Sequence, residues 1–93
     1  MADTLWGNVI RVIDGDTFDA RVTHYSPQNR SRYNNIERIR LASANAPELT
    51  GLFGFSAKQQ LEHRISGKFV RLTVHTRDIY GRLVCDVSVV SSA

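Results

Sequence analysis

Cysteine, proline, lysine and long apolar runs are all scarce in this chain, and each scarcity closes off a class of protein. The single cysteine, Cys85, excludes an internal disulfide. Set within an apolar strand pattern and with no histidine close in sequence, it reads as a buried thiol. No run is long or apolar enough to cross a bilayer, so no membrane partner is expected. The opening Met1-Ala2-Asp3-Thr4 carries neither the basic nor the apolar region of a secretory leader, which makes a cytoplasmic location the default expectation. The two prolines, Pro27 and Pro47, both fall in polar, turn-rich stretches. There is no repeat, linker or low-complexity tract, so residues 1–93 read as one domain.

What is present is arginine. Of the twelve basic residues, ten are arginine, and the net charge is +3. The planar guanidinium matches phosphate oxygens in pairs, whereas lysine offers a point charge. The charge balance therefore permits a nucleic-acid partner. Arg21, Arg38 and Arg71 fit equally well as solvated residues on exposed strand faces. An apolar content of 42% supports a folded core.

Strand patterns dominate. Trp6–Ile13 reads as a first strand, with Val9, Ile10, Val12 and Ile13 supplying bulk and Trp6 expected as a core anchor rather than a base-stacking platform. Thr17–Tyr25 alternates, Phe18, Ala20 and Val22 on one face and Asp19, Arg21 and Thr23 on the other. Polar residues from Ser26 to Asn35 predict a loop or hairpin tip. Ile36–Ala42 is a third strand, with Arg38 and Arg40 opposite in parity to Ile39 and Leu41. Ser43–Gly54 lacks a period. Ser56, with Gln59 three residues on, predicts the start of a helix, and Gly67 predicts its end. Ala57, Leu61 and Ile65 share one face of that helix. Lys68–His75 and Arg82–Val90 are two further strands around the turn Arg77–Gly81. Three strands, a helix and two strands predict a mainly β (α+β) fold, a five-stranded barrel of the OB type with its helix between strands 3 and 4.

The most informative segment is Ile13-Asp14-Gly15-Asp16-Thr17. Asp-Gly between strands is a hairpin signal, since glycine tolerates the positive φ of a tight turn. A turn needs only one acidic residue, yet Asp16 follows. Later segments carry Arg40, Asn45, Glu48 and Arg82, in an order that can close around the same point. Two guanidiniums, carboxylates and an amide suit a phosphate and a hard metal ion. Each has a plain alternative: Asp14 as a turn residue, Glu48 as an exposed loop residue, Arg82 and Tyr80 as solvated or packing residues at a hairpin. His24, His63 and His75 lack ligand spacing and read as structural or surface residues.

Val12-Ile13-Asp14-Gly15-Asp16-Thr17, Arg40-Leu41, Asn45-Ala46-Pro47-Glu48 and Asp78-Ile79-Tyr80-Gly81-Arg82 together resemble the staphylococcal nuclease (thermonuclease) family, in register from Val9 to about Val90. The resemblance implies an OB barrel that hydrolyses DNA or RNA phosphodiesters with Ca2+. It implies Asp16, Asn45 and the carbonyl of Ala46 at the metal, with Asp14 shaping the metal pocket. Glu48 would be the general base, Arg40 and Arg82 the clamp on the scissile phosphate, and Tyr80 a contact to the nucleotide's terminal phosphate.

Three departures matter. Asn45 replaces a charged ligand by an amide, which weakens calcium binding. Ile79 stands where the family often has a lysine. The family normally also has a C-terminal helical portion covering the barrel, so with Ala93 as the last residue here the expectation is completion by self-association, strand exchange or another chain. Arg30 and Arg32, on the long loop between strands 2 and 3, could meet a nucleic-acid backbone. Two functional readings follow: a metal-dependent phosphodiesterase, and a catalytically inactive nucleic-acid-binding or protein-interaction OB module.

Overall fold

Five strands and one α-helix form from these patterns: β1 (Asp3–Asp14), β2 (Thr17–Tyr25), β3 (Ile36–Leu41), α1 (Leu52–Ile65), β4 (Phe69–Arg77) and β5 (Leu83–Ser91). The computed structural model describes residues 3–25, 27–42 and 52–91, with nothing described for the side chains of residues 27, 29, 30, 52–56 and 91. The strands close into a barrel in the order β1-β2-β3-β5-β4. Every neighbouring pair is antiparallel except β3 and β5, which run parallel. This is the OB-type architecture with the helix between the third and fourth strands.

Alternation builds the interior as the sequence implies. Phe18, Ala20 and Val22 of β2, Ile39 of β3, Val70, Leu72 and Val74 of β4, and Leu83 and Cys85 of β5 are all buried. Burial pushes the Cys85 thiol up to about 12, which keeps it protonated and inert. β1 is long enough to serve both neighbours: its first half, Asp3–Asn8, pairs with β4, and Leu5–Asp14 pairs with β2 through three register shifts. Such irregularities bend and twist a strand, which lets a small sheet close on itself.

Four expectations are corrected. Helix α1 begins at Leu52, ahead of Ser56, so a capping box at Ser56 does not start it. A single glycine inside a helix costs only about 1 kcal/mol, and Gly54 is carried along once the later turns are formed. Gly15 does not adopt a positive φ; among the described residues only Gly67 and Gly81 do. Its small size is needed for another reason: a Cβ there would lie 2.8 Å from the Cβ of Ala57, so the helix sits directly on the β1–β2 turn. Trp6 is not in the core cluster. It lies on the outward parity of β1 between His24 and Arg71, because the inward positions on either side go to Leu5 and Gly7. Finally, the stretch after β2 contains a 3-10 helix, Pro27–Arg32, where a plain loop was expected. Proline at its first position supplies a fixed φ and has no N–H to leave unpaired.

The helix ends as predicted. Gly67 takes φ 70°, the Lys68 N–H donates to the Ile65 carbonyl at 2.9 Å, and Leu61 and Ile65 face the barrel. No described helix is long and apolar enough to cross a membrane.

Gly7 marks a close backbone approach in the barrel wall: an added Cβ would collide with the main-chain carbonyl of Arg21 on β2. Gly7→Ala is expected to destabilise the fold by about 1–3 kcal/mol in urea denaturation. An unchanged midpoint would show that the β1–β2 register is looser than this.

Candidate phosphate-binding and metal-binding site

The β1–β2 turn, β3 and the β4–β5 turn bring their functional residues to one end of the barrel. The Asp16 N–H donates to Asp14 Oδ1 at 3.1 Å, folding the turn over its own side chain. The Asp16 carbonyl accepts from Leu41 N–H at 2.8 Å, and Thr17 stands opposite Arg40 in the β2–β3 ladder. That pairing sets Arg40 Nε 3.9 Å from Asp16 Oδ2. Thr17, almost fully buried, donates its hydroxyl to Asp16 Oδ1 at 2.8 Å.

Arg82 arrives from the other side of the barrel closure. Asp78 organises its turn: Oδ1 accepts from the N–H groups of Tyr80 and Arg82 at 3.0 and 2.9 Å, and Oδ2 takes Arg82 Nε at 2.7 Å. Gly81 supplies the positive φ, 86°, that lets the chain reverse. The Arg82 guanidinium is thereby aimed with Nη1 3.4 Å from Thr17 Oγ1, and its Cζ lies 5.4 Å from the centre of the Tyr80 ring. Tyr80 is 78% exposed and Ile79 91%, so neither is a packing residue. Asp78 stays ionised: burial opposes its charge, but the hydrogen bonds from Arg82 and Tyr80 outweigh burial and lower its pKa.

The two turn carboxylates behave as a pair. Hydrogen bonding to Asp14, then burial, pushes the Asp16 carboxyl above its ordinary value, against the pull of Thr17 and Arg40. Burial also opposes charge on Asp14, yet hydrogen bonds from Asp16 and Thr17, with Arg82 nearby, hold it below its ordinary value. Carboxylate oxygens are hard donors of the kind that calcium prefers. The donor chemistry fits a divalent ion in part. Among the described residues no group of three or more His, Cys, Asp or Glu could hold a metal. Asn45, Ala46 and Glu48 lie outside the described residues.

Of the site residues expected from sequence, Asp14, Asp16, Arg40, Tyr80 and Arg82 are placed around Thr17 and the two turns. Thr17 and Asp78 were overlooked as working residues, although both stand inside the quoted motifs. A third overlooked residue is Glu37. It shares the parity of Ile39 and is 3% exposed, yet it is charged. Arg77 grips both its carboxylate oxygens, at 3.0 and 3.1 Å, and donates to the Gly81 carbonyl at 2.8 Å. One guanidinium thus ties β3 to the turn that carries Arg82. The sequence signal was an acidic residue at an inward position, which demands a partner. The histidines stay outside the site: His75 pairs with Asp86 at 2.7 Å on the surface, and His24 meets Phe69 edge-on.

A model of staphylococcal nuclease homologues matches residues 38–92, more than half of the chain. The chain belongs to the staphylococcal nuclease family. The match begins at Arg38, and the Thr17–Arg40 pairing joins the β1–β2 turn to that matched part. Similar proteins include a micrococcal nuclease of Shigella flexneri, 38% identical over 76 residues, 82% of this chain and 38% of that protein. An uncharacterized endonuclease of Escherichia coli O157:H7 is 32% identical over 81 residues, 87% of this chain and 46% of that protein. The protein ParB of Escherichia coli is 35% identical over 78 residues, 84% of this chain and 38% of that protein. The chain therefore spans less than half the length of these relatives.

Beside the site, Asp19 gives the fold a charge-dependent anchor. It is buried on the outward parity of β2, where a solvated residue was expected, because Arg38 Nε and Arg11 Nε reach it at 2.9 and 3.1 Å. Arg38 is correspondingly an ion-pair partner and not merely solvated. The Arg38 hydrogen bond, working against burial and joined by that of Arg11, lowers the Asp19 pKa. A carboxylate with a depressed folded pKa stabilises fully above its unfolded value, near 4, and loses that contribution as pH falls through the folded value. The stability gap between the native chain and Asp19→Asn is therefore expected to be largest at neutral pH and to shrink below about pH 4. Urea melts from pH 7 to 2 check this, and a gap constant across that range would contradict it.

Proposed function

We propose that this chain is a metal-dependent phosphodiesterase that hydrolyses DNA or RNA. The observation that carries the reading is the meeting of Arg40 and Arg82, from different sheet neighbours, on either side of the Asp16–Thr17 pair. Two oriented guanidiniums beside a carboxylate pocket match a phosphodiester and a cation in adjacent seats.

In this reading Arg40 and Arg82 bind the non-bridging oxygens of the scissile phosphate. Their grip strengthens as negative charge grows on those oxygens. Glu48 takes the proton from the attacking water. Asp16, the amide oxygen of Asn45 and the carbonyl of Ala46 would hold Ca2+, with Asp14 shaping the metal site. When bound, the ion neutralises phosphoryl charge and acidifies water. Asn45 brings no charge, so calcium is held weakly and another divalent ion can take its place. Tyr80, exposed beside Arg82, contacts a neighbouring phosphate of the substrate.

The second reading is a non-catalytic nucleic-acid-binding or protein-interaction module. Asn45 favours it, as does the apolar and exposed Ile79, which leaves the β4–β5 turn without a further cation there.

Cleavage of single-stranded DNA with calcium, magnesium, manganese or chelator separates the two. Arg82→Lys and Glu48→Gln are each expected to lower the rate by about a hundred- to a thousandfold, and Asn45→Asp to raise activity at limiting calcium. No cleavage with any metal, followed by activity on Asn45→Asp alone, would establish the binding module. Full activity in Glu48→Gln would remove that residue as the base.

A further inference from the structure

The barrel wall outside the site is lined with arginines, and they are not scattered. Cross-strand pairing orders them: Arg40 stands beside Thr17, Arg38 beside Asp19, Arg11 on the other side of Asp19, Arg21 beside Asn8, and Arg71 beside Trp6. All project on the outward parity of β3, β2, β1 and β4, since the residues flanking them along each strand include the buried core.

We propose that this face is a track for single-stranded nucleic acid, leading from Arg71 and Trp6 through Arg21, Arg11 and Arg38 to Arg40 at the candidate site. The proposal rests on the phosphodiesterase reading for its direction, but not for its chemistry. Residues two apart on one strand face repeat at about 6.8 Å, comparable to the phosphate spacing of an extended single strand. From Thr17 to His24, the residue opposite Trp6, the track runs roughly 24 Å along β2, room for about four nucleotides, at the low end of what one OB barrel holds.

Charge and preorganisation favour the same occupant. Arg21 and Arg71 are exposed and have no ion pair among the described residues. Arg11 and Arg38 are 67% and 48% exposed, although both hold Asp19. Arg11 uses Nε and Arg38 uses Nε and Nη2 on that carboxylate, so both Nη groups of Arg11 and Nη1 of Arg38 remain directed to solvent or ligand. Between Arg71 and Arg38, Asp19 is the one acid of the track among the described residues, and the two guanidiniums of Arg11 and Arg38 pair with it; it acts as a positioning residue for them. At the far end Trp6 is flanked by His24, with Phe69 edge-on to His24 at 6.0 Å. Aromatic rings beside guanidiniums suit bases that are unpaired and free to stack, which a duplex does not present.

Trp6 is the sole tryptophan, so its fluorescence reports this end of the track alone. The native chain, held in chelator so that nothing is cut, is titrated with a dinucleotide, a single-stranded dodecamer and the matching duplex. The dodecamer is expected to quench Trp6; the dinucleotide, which reaches only the site, and the duplex are not. Arg21→Gln with Arg71→Gln is expected to weaken dodecamer binding on the order of tenfold at low salt and to flatten the log affinity against log salt slope by about 1.4, that is 0.7 per lost phosphate contact. Trp6→Leu, read by anisotropy of a labelled dodecamer, is expected to weaken binding on the order of tenfold through lost stacking. Thermal melts establish that the variants are folded, and the two probe different residues.

Binding by anisotropy without Trp6 quenching, or with the salt slope unchanged in the double variant, overturns the track. Equal quenching by the duplex or by a polyglutamate peptide overturns its specificity for a single strand. Cleavage in calcium is measured separately. Quenching without cleavage sinks only the phosphodiesterase reading, and cleavage without quenching sinks only the track.

Discussion

The short parallel ladder between β3 and β5 is the constraint on which the site depends. It consists of Ile39 opposite Leu83, Arg40 opposite Val84 and Leu41 opposite Cys85. Those pairs close the barrel and align two stretches of chain that lie far apart in sequence. Because Arg40 is within the ladder and Arg82 immediately precedes it, closure itself places the two guanidiniums at one end. The buried residues Ile39, Leu83 and Cys85 lock the register, since a slip by one position would turn them outward and bring charged neighbours in. The Arg77–Glu37 pair reinforces the same seam from the side of the turn.

A second regularity runs through the charged residues. Four of the arginines at the site and on the adjacent wall meet an aspartate that orients them: Arg40 with Asp16, Arg82 with Asp78, and Arg38 and Arg11 with Asp19. Partly exposed pairs of this kind add little to stability. Their value is geometric. An aspartate that occupies Nε leaves terminal nitrogens directed outward, and a guanidinium held this way loses less freedom when it meets a phosphate. The Asp16 carboxyl has a second partner in Asp14, whose hydrogen bond raises the Asp16 pKa.

Much of this was legible in the residues. Alternation in Thr17–Tyr25 and Lys68–His75 gave the inward faces of β2 and β4, and Gly67 marked the end of the helix. Four separated motifs gave the family, and three of them carry the described residues that gather around Thr17; Asn45, Ala46 and Glu48 lie outside the described residues. What failed did so for physical reasons. The helix start was misplaced because a capping signal at Ser56 is local, whereas packing of α1 on Gly15 is tertiary. Asp19 was read only by its strand face, and Glu37 was passed over, because their arginine partners, Arg38 and Arg77, are distant in sequence. Trp6 was assigned inward on size alone, while the parity set by Leu5 and Gly7 turns it outward.

In the proposed function Arg40 and Arg82 act as one clamp on one phosphate. Nuclear magnetic resonance of the arginine Nε–Hε groups reads it directly, with a tetranucleotide added to the native chain in chelator. The Arg40 and Arg82 signals are expected to move together, with a common midpoint, while that of Arg77, paired with the buried Glu37, stays in place. Binding that shifts only one of the pair, or shifts the two with different midpoints, would contradict a shared phosphate seat.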